Sequence, residues 1–109
     1  MNIKKPSSHK NPEPESSVLY VVGTPIGNLS DLSSRALNVL KNVSLIACED
    51  TRQTKKIMFK FEFTNNLISF NKNNFLNKIP RIIKDLKEGK SIALVSDAGM
   101  PSICDPGEE

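Results

Sequence analysis

The sequence holds one histidine, two cysteines and no apolar run long enough to cross a bilayer. Each shortage excludes something. A spanning helix needs about 18 consecutive apolar residues, so no membrane span is expected. Cys48 and Cys104 form no C-x-x-C pair, and the only histidine, His9, lies far from both. No metal site is expected from such a set. Cys48 reads as a small strand hydrophobe and Cys104 as a loop thiol, in a reducing, cytoplasmic setting. Lys4 and Lys5 are followed by no apolar stretch, so the N-terminus does not read as a secretory signal. The glycine loop at 23–29 is not G-x-G-x-x-G, and no G-x-x-x-x-G-K-[ST] P-loop occurs.

What is present suits one small domain. The chain has 109 residues, 38% hydrophobic and 25% charged. Its net charge of +3, from 15 basic and 12 acidic residues, permits a nucleic-acid partner without identifying one. Residues 1–17 are polar and proline-rich, with Ile3 as their one large aliphatic residue. They are expected to form a disordered tail. Residues 18–109 are expected to form the folded domain. A domain of that size buries little more than about 60% of its unfolded surface, so its stability is marginal.

Four apolar runs read as strands: Val18–Val22, Ser44–Cys48, Leu67–Phe70 and Ser91–Val95. Three helical patterns separate them. Leu32, Ala36, Val39, Leu40 and Val43 recur at helical spacing, predicting a helix over about 31–41 capped by Ser30 or Asp31. A second helix is predicted over 51–61, started by Asp50 or Thr51. A third carries Phe75, Leu76, Ile79, Ile82, Ile83 and Leu86, and either starts near Pro80 or kinks there. Gly89 is its expected stop. The order β-α-β-α-β-α-β predicts an α/β fold, a parallel sheet with right-handed βαβ crossovers.

Strands of a parallel sheet end on one edge, where ligands of open α/β sheets sit. Three loops are expected there. The first, Gly23 to Leu29, has glycines four residues apart that let backbone approach a ligand closely, or that merely serve a tight turn. The second is Glu49-Asp50-Thr51-Arg52. Its carboxylates and arginine are costly to bury unless paired. They either cap the next helix and meet solvent or point into the crevice. The third, Ser96 to Gly107, carries Asp97, Asp105, two glycines and two prolines. The second helix holds Arg52, Lys55, Lys56 and Lys60 with no acid among them. Positions 52, 56 and 60 share a face, which suits a phosphate backbone or a solvated surface.

The stretches L-Y-V-V-G-T-P-I-G-N-L-S-D-L-S-S-R-A-L (19–37), L-I-A-C-E-D-T-R (45–52) and A-L-V-S-D-A-G-M-P-S-I-C-D-P-G (93–107) resemble the ribosomal RNA small-subunit methyltransferase I family. That family is similar to the tetrapyrrole methylases, the class III S-adenosylmethionine-dependent methyltransferases. The resemblance implies 2′-O-methylation of a cytidine ribose in small-subunit (16S) ribosomal RNA. It also implies two α/β domains with the cofactor between them, and a cytoplasmic homodimer acting on the 30S subunit.

By this resemblance Thr24, Pro25, Gly27, Ser96, Asp97, Ala98, Gly99 and Pro101 belong to the cofactor site. Glu49 and Asp50 are candidate catalytic carboxylates, and Arg52, Lys55 and Lys56 candidate RNA contacts. Two departures stand out. Phe70-Asn71-Lys72-Asn73-Asn74 replaces a histidine- and glutamate-rich family segment. Family members are also much longer, so this N-terminal domain is expected to be incomplete at its C-terminus and the second domain absent. Half a cleft excludes little water, so the isolated chain is expected to be inactive. The alternatives are a tetrapyrrole methylase acting on a small molecule and a truncated remnant without catalysis.

Overall fold

The computed structural model describes residues 2–4, 13–24 and 29–97. Five parallel strands form one sheet: β1 (Asn2–Lys4), β2 (Val18–Thr24), β3 (Leu45–Cys48), β4 (Leu67–Ser69) and β5 (Ile92–Asp97). Their spatial order is β1-β2-β5-β3-β4. The helices are α1 (Ser34–Asn42), α2 (Thr51–Lys60) and α3 (Phe75–Lys87), with a 3₁₀ turn over Leu29–Asp31. None of the described helices is long and apolar enough to span a membrane.

The crossovers explain which helix lies on which face. From β2 to β3 and from β3 to β4 the chain advances in one direction, through α1 and α2. From β4 to β5 it returns, through α3. Right-handed connections therefore put α1 and α2 on one face and α3 on the other. The core divides accordingly. Val18, Tyr20, Val22, Ile46, Cys48, Ala93 and Val95 pack with Val39, Leu40 and Ile57 of α1 and α2. Leu19, Leu45, Ala47, Ile92 and Leu94 pack with Ile82 and Leu86 of α3. Both faces are covered, so the strands are continuously apolar rather than alternating. Cys48 is buried at 1% exposure, a strand hydrophobe as its sequence context predicts.

Local chemistry corrects several boundaries. Neither Ser30 nor Asp31 caps α1; Ser33 does, its Oγ accepting the Ala36 N–H at 3.0 Å. The reason lies upstream. The Leu29–Asp31 turn, closed by the Leu32 N–H on the Leu29 carbonyl at 3.2 Å, folds Leu32 into the core before the helix begins. Helix α3 does not start at Pro80; it starts at Phe75 and holds Pro80 inside. The ring removes the hydrogen bond to the Leu76 carbonyl. Leu76 is 72% exposed, so water can satisfy that group. Strand β5 runs to Asp97 rather than Val95, which makes Ser96 and Asp97 strand-end residues.

Residues 2–4 correct the expectation of disorder across 1–17. They pair in register with Val18, Leu19 and Tyr20. An open sheet edge needs only backbone partners, which a polar tripeptide can supply. Asn65 performs a similar stitch: its side-chain amide donates to the Leu40 and Val43 carbonyls, both at 2.9 Å, closing the end of α1.

Helix α3 stops as predicted. Gly89 has φ +89°, its N–H bonds the Leu86 carbonyl at 3.1 Å, and the Lys90 N–H bonds the Asp85 carbonyl at 3.0 Å. This is a Schellman motif. A Cβ on Gly89 would meet nothing within 4 Å, so only backbone strain opposes a side chain there. Gly89→Ala is expected to cost about 1–2 kcal/mol, read as a lower urea midpoint with unchanged m-value.

Candidate functional site

Because all strands are parallel, the carboxyl ends of β2, β3, β4 and β5 share one edge. That edge is where the chain turns from apolar to polar. Thr24 of β2 lies in register with Asp97 of β5, and Gly23 with Ser96. The Thr24 hydroxyl donates to the Ser96 carbonyl at 3.1 Å, a buried bond that fixes the two strand ends together. Thr24 and Ser96 are buried at 6% and 3% exposure. On the other side of β5, Cys48 lies opposite Val95, so Asp50 follows Cys48 by two positions as Asp97 follows Val95. Two carboxylate residues thus stand at the same level on neighbouring strand ends, with Glu49 between Cys48 and Asp50.

Asp50 is the N-cap of α2. Its Oδ1 accepts the Arg52 N–H at 2.9 Å and the Arg52 Nε at 3.2 Å. The guanidinium hydrogen bond, then the backbone one, hold the Asp50 carboxyl below its usual range. The negative charge also complements the positive end of the helix. Of the two readings of this loop, capping is therefore observed for Asp50. Arg52 binds Asp50 while its side chain stays 87% exposed.

The end of β4 is organised by its own asparagines. The Asn74 Oδ1 accepts the Asn71 N–H, and the Asn71 Oδ1 accepts the Asn73 N–H, both at 2.9 Å. The Asn74 amide donates to the Ser69 hydroxyl at 2.9 Å. The sequence marks this stretch only as a polar loop; the pairing of Ser69 with Cys48 is what puts it on the edge.

The structure thus brings Thr24, Ser96 and Asp97 together and sets Glu49 and Asp50 on the adjacent strand end. Pro25, Gly27, Ala98, Gly99 and Pro101, and with them Cys104, lie outside the described residues. Arg52, Lys55 and Lys56 are exposed on α2, clear of the core formed by Thr54 and Ile57. Among the described residues no three metal-ligating groups cluster.

A parallel sheet with polar strand ends on one edge and helices on both faces defines a doubly wound α/β domain. The family model for tetrapyrrole (corrin/porphyrin) methylases matches residues 18–109, and the chain belongs to that family. Among individual proteins it is similar to ribosomal RNA small subunit methyltransferase I of Bacillus subtilis, at 50% identity over 99 residues covering 91% of this chain and 34% of that protein. The Thermotoga maritima protein of the same name is 53% identical over 89 residues, covering 82% of this chain and 40% of its own length. That of Buchnera aphidicola (from Acyrthosiphon pisum) is 53% identical over 90 residues, covering 83% and 32%. The chain spans about a third of the length of these curated relatives.

Removing the Asp50 cap has an expected pH signature. The carboxyl is depressed in the folded state, so its contribution is present above the unfolded value, near about 4, and is lost as pH falls through the folded value. Asp50→Ala should lower the melting temperature at pH 7, and the difference from wild type should shrink as melts are taken to pH values below that unfolded value. Asp50→Ser should retain most of the stability.

Proposed function

We propose that this chain supplies the S-adenosylmethionine-binding part of an enzyme that methylates the 2′-hydroxyl of a cytidine in small-subunit ribosomal RNA. The observation that carries this reading is the identity of about 50% to proteins named ribosomal RNA small subunit methyltransferase I. The proposal extends to a cytoplasmic homodimer acting on the 30S subunit. The family name favours a second reading, methylation of a small tetrapyrrole. The acid-free basic run of α2 favours RNA.

The donor set at the sheet edge fits a cationic cofactor. Asp97, Glu49 and Asp50 are carboxylates, and the Thr24–Ser96 bond holds two strand ends at fixed separation. When bound, S-adenosylmethionine supplies a methyl group on a positively charged sulfur. Thr24, Ser96 and Asp97, with the loops that follow them through Pro25 and Gly27 and through Ala98, Gly99 and Pro101, hold it. Asp97 acts through its charge on the cofactor's cationic groups.

A ribose hydroxyl is a weak acid, and a positioned base is worth about 10²–10⁴ in rate. Asp50 is a poor base because Arg52 stabilises its charged form. Glu49 is the better candidate of the two. Arg52, Lys55 and Lys56 bind phosphate and set the register of the RNA without reading its sequence.

In the intact protein, Asp97→Asn is expected to weaken S-adenosylmethionine binding about tenfold in calorimetry. Lys55→Ala with Lys56→Ala should raise KM for 30S subunits and leave cofactor affinity unchanged. Methyl transfer to a porphyrinoid but not to 30S subunits would sink the RNA reading. No cofactor binding and no transfer to either substrate would favour a non-catalytic remnant.

A further inference from the structure

Helix α2 carries one side chain that its surroundings do not explain. Phe59 is 89% exposed, the most exposed large hydrophobic among the described residues. It does not stand alone on a neutral surface. Lys55 lies one turn before it, Lys56 three residues before and Lys60 beside it, while Arg52 lies two turns back on the same side. The helix buries Thr54 and Ile57, so the aromatic ring sits within the basic face.

The end of α2 shapes a cleft against that ring. Phe61 caps the helix, Glu62 has φ +57°, and the Phe63 N–H returns to the Met58 carbonyl at 3.0 Å. This is the same helix stop that Gly89 makes in α3, but with a carboxylate residue where glycine is easier. The turn leaves an open cavity of about 400 Å³ lined by Met58, Phe59, Glu62, Phe63 and Thr64. Small-ligand clefts begin at about that size.

We propose that this cleft holds an unstacked nucleobase of the substrate RNA, its face on Phe59 and an exocyclic amino group on Glu62. This rests on the RNA reading given above. The division of charge fits a nucleotide. The cations of α2 suit phosphate, the Phe59 ring suits a base face, and Glu62 repels phosphate while accepting from a base amine, as carboxylates do from cytosine N4. Helix rise puts Phe59 about 13 Å along α2 from the Asp50 cap, so the base in the cleft flanks the one at the sheet edge. A side chain in the left-handed region at a functional contact is where backbone strain is commonly retained.

The test uses the intact protein with fluorescein-labelled 12-nucleotide oligo(C) and oligo(U). Phe59→Ala should weaken oligo(C) binding about tenfold or more with an unchanged salt slope, and Phe59→Tyr should restore it. Lys55→Ala or Lys56→Ala should instead reduce the slope of log K against log salt by about 0.7 each. Glu62→Gly should raise the melting temperature by relieving the left-handed turn, yet abolish the preference for oligo(C) over oligo(U). Unchanged oligo(C) affinity in Phe59→Ala, beside weaker binding in the lysine variants, overturns the stacking cleft and leaves the RNA reading standing. Failure of the wild type to bind either RNA overturns both. Dissociation of an oligomer by Phe59→Ala in sedimentation, with RNA affinity unchanged, makes the patch a protein interface and overturns the proposal.

Discussion

Insertion of β5 between β2 and β3 is the constraint on which the rest depends. It is the last described strand, yet it pairs with β2 through six residues and with β3 through four. Until β5 arrives, β2 and β3 have no backbone partner between them. Ile92 and Ala93 consequently have no exposure at all. The same insertion sets Thr24 beside Asp97 and brings the β3 end level with both. The sheet core and the polar edge are therefore one arrangement: strands buried on both faces can place polar side chains only at their ends.

Charge is distributed unevenly along α2. Its first turn faces the sheet edge and is capped by Asp50, whose carboxylate is held by the Arg52 backbone and side chain. Its outer face is cationic, with Phe59 within it. One short helix so connects a carboxylate-bearing edge with a cationic outer surface. Its buried residues, Thr54 and Ile57, fix which side faces outward.

Much of this was legible from residue order. The β-α alternation, the apolar strands, the buried Cys48 and the Gly89 stop follow from periodicity and turn chemistry. The three motif stretches led to the family whose model matches residues 18–109. What escaped was decided by competition between local options. Ser30, Asp31 and Ser33 are all competent caps, and burial of Leu32 selects Ser33. Pro80 reads as a helix start or a kink. It is held inside α3, whose core face also carries Phe75 and Ile79 upstream of it. Ile3 looks stranded in a polar tail until the open edge of β2 gives it a register partner in Leu19.

The sequence by itself determined the four inner strands, the three helices that alternate with them and where α3 stops, because each depends on neighbours within a few positions. Only the tertiary structure decided the strand order, the alignment of Thr24 with Asp97, and the exposure of Phe59 among lysines. Strand pairing is made by backbone groups that every residue carries alike, so no residue announces its partner. That choice falls to the packing of helices on two faces and the handedness of the crossovers.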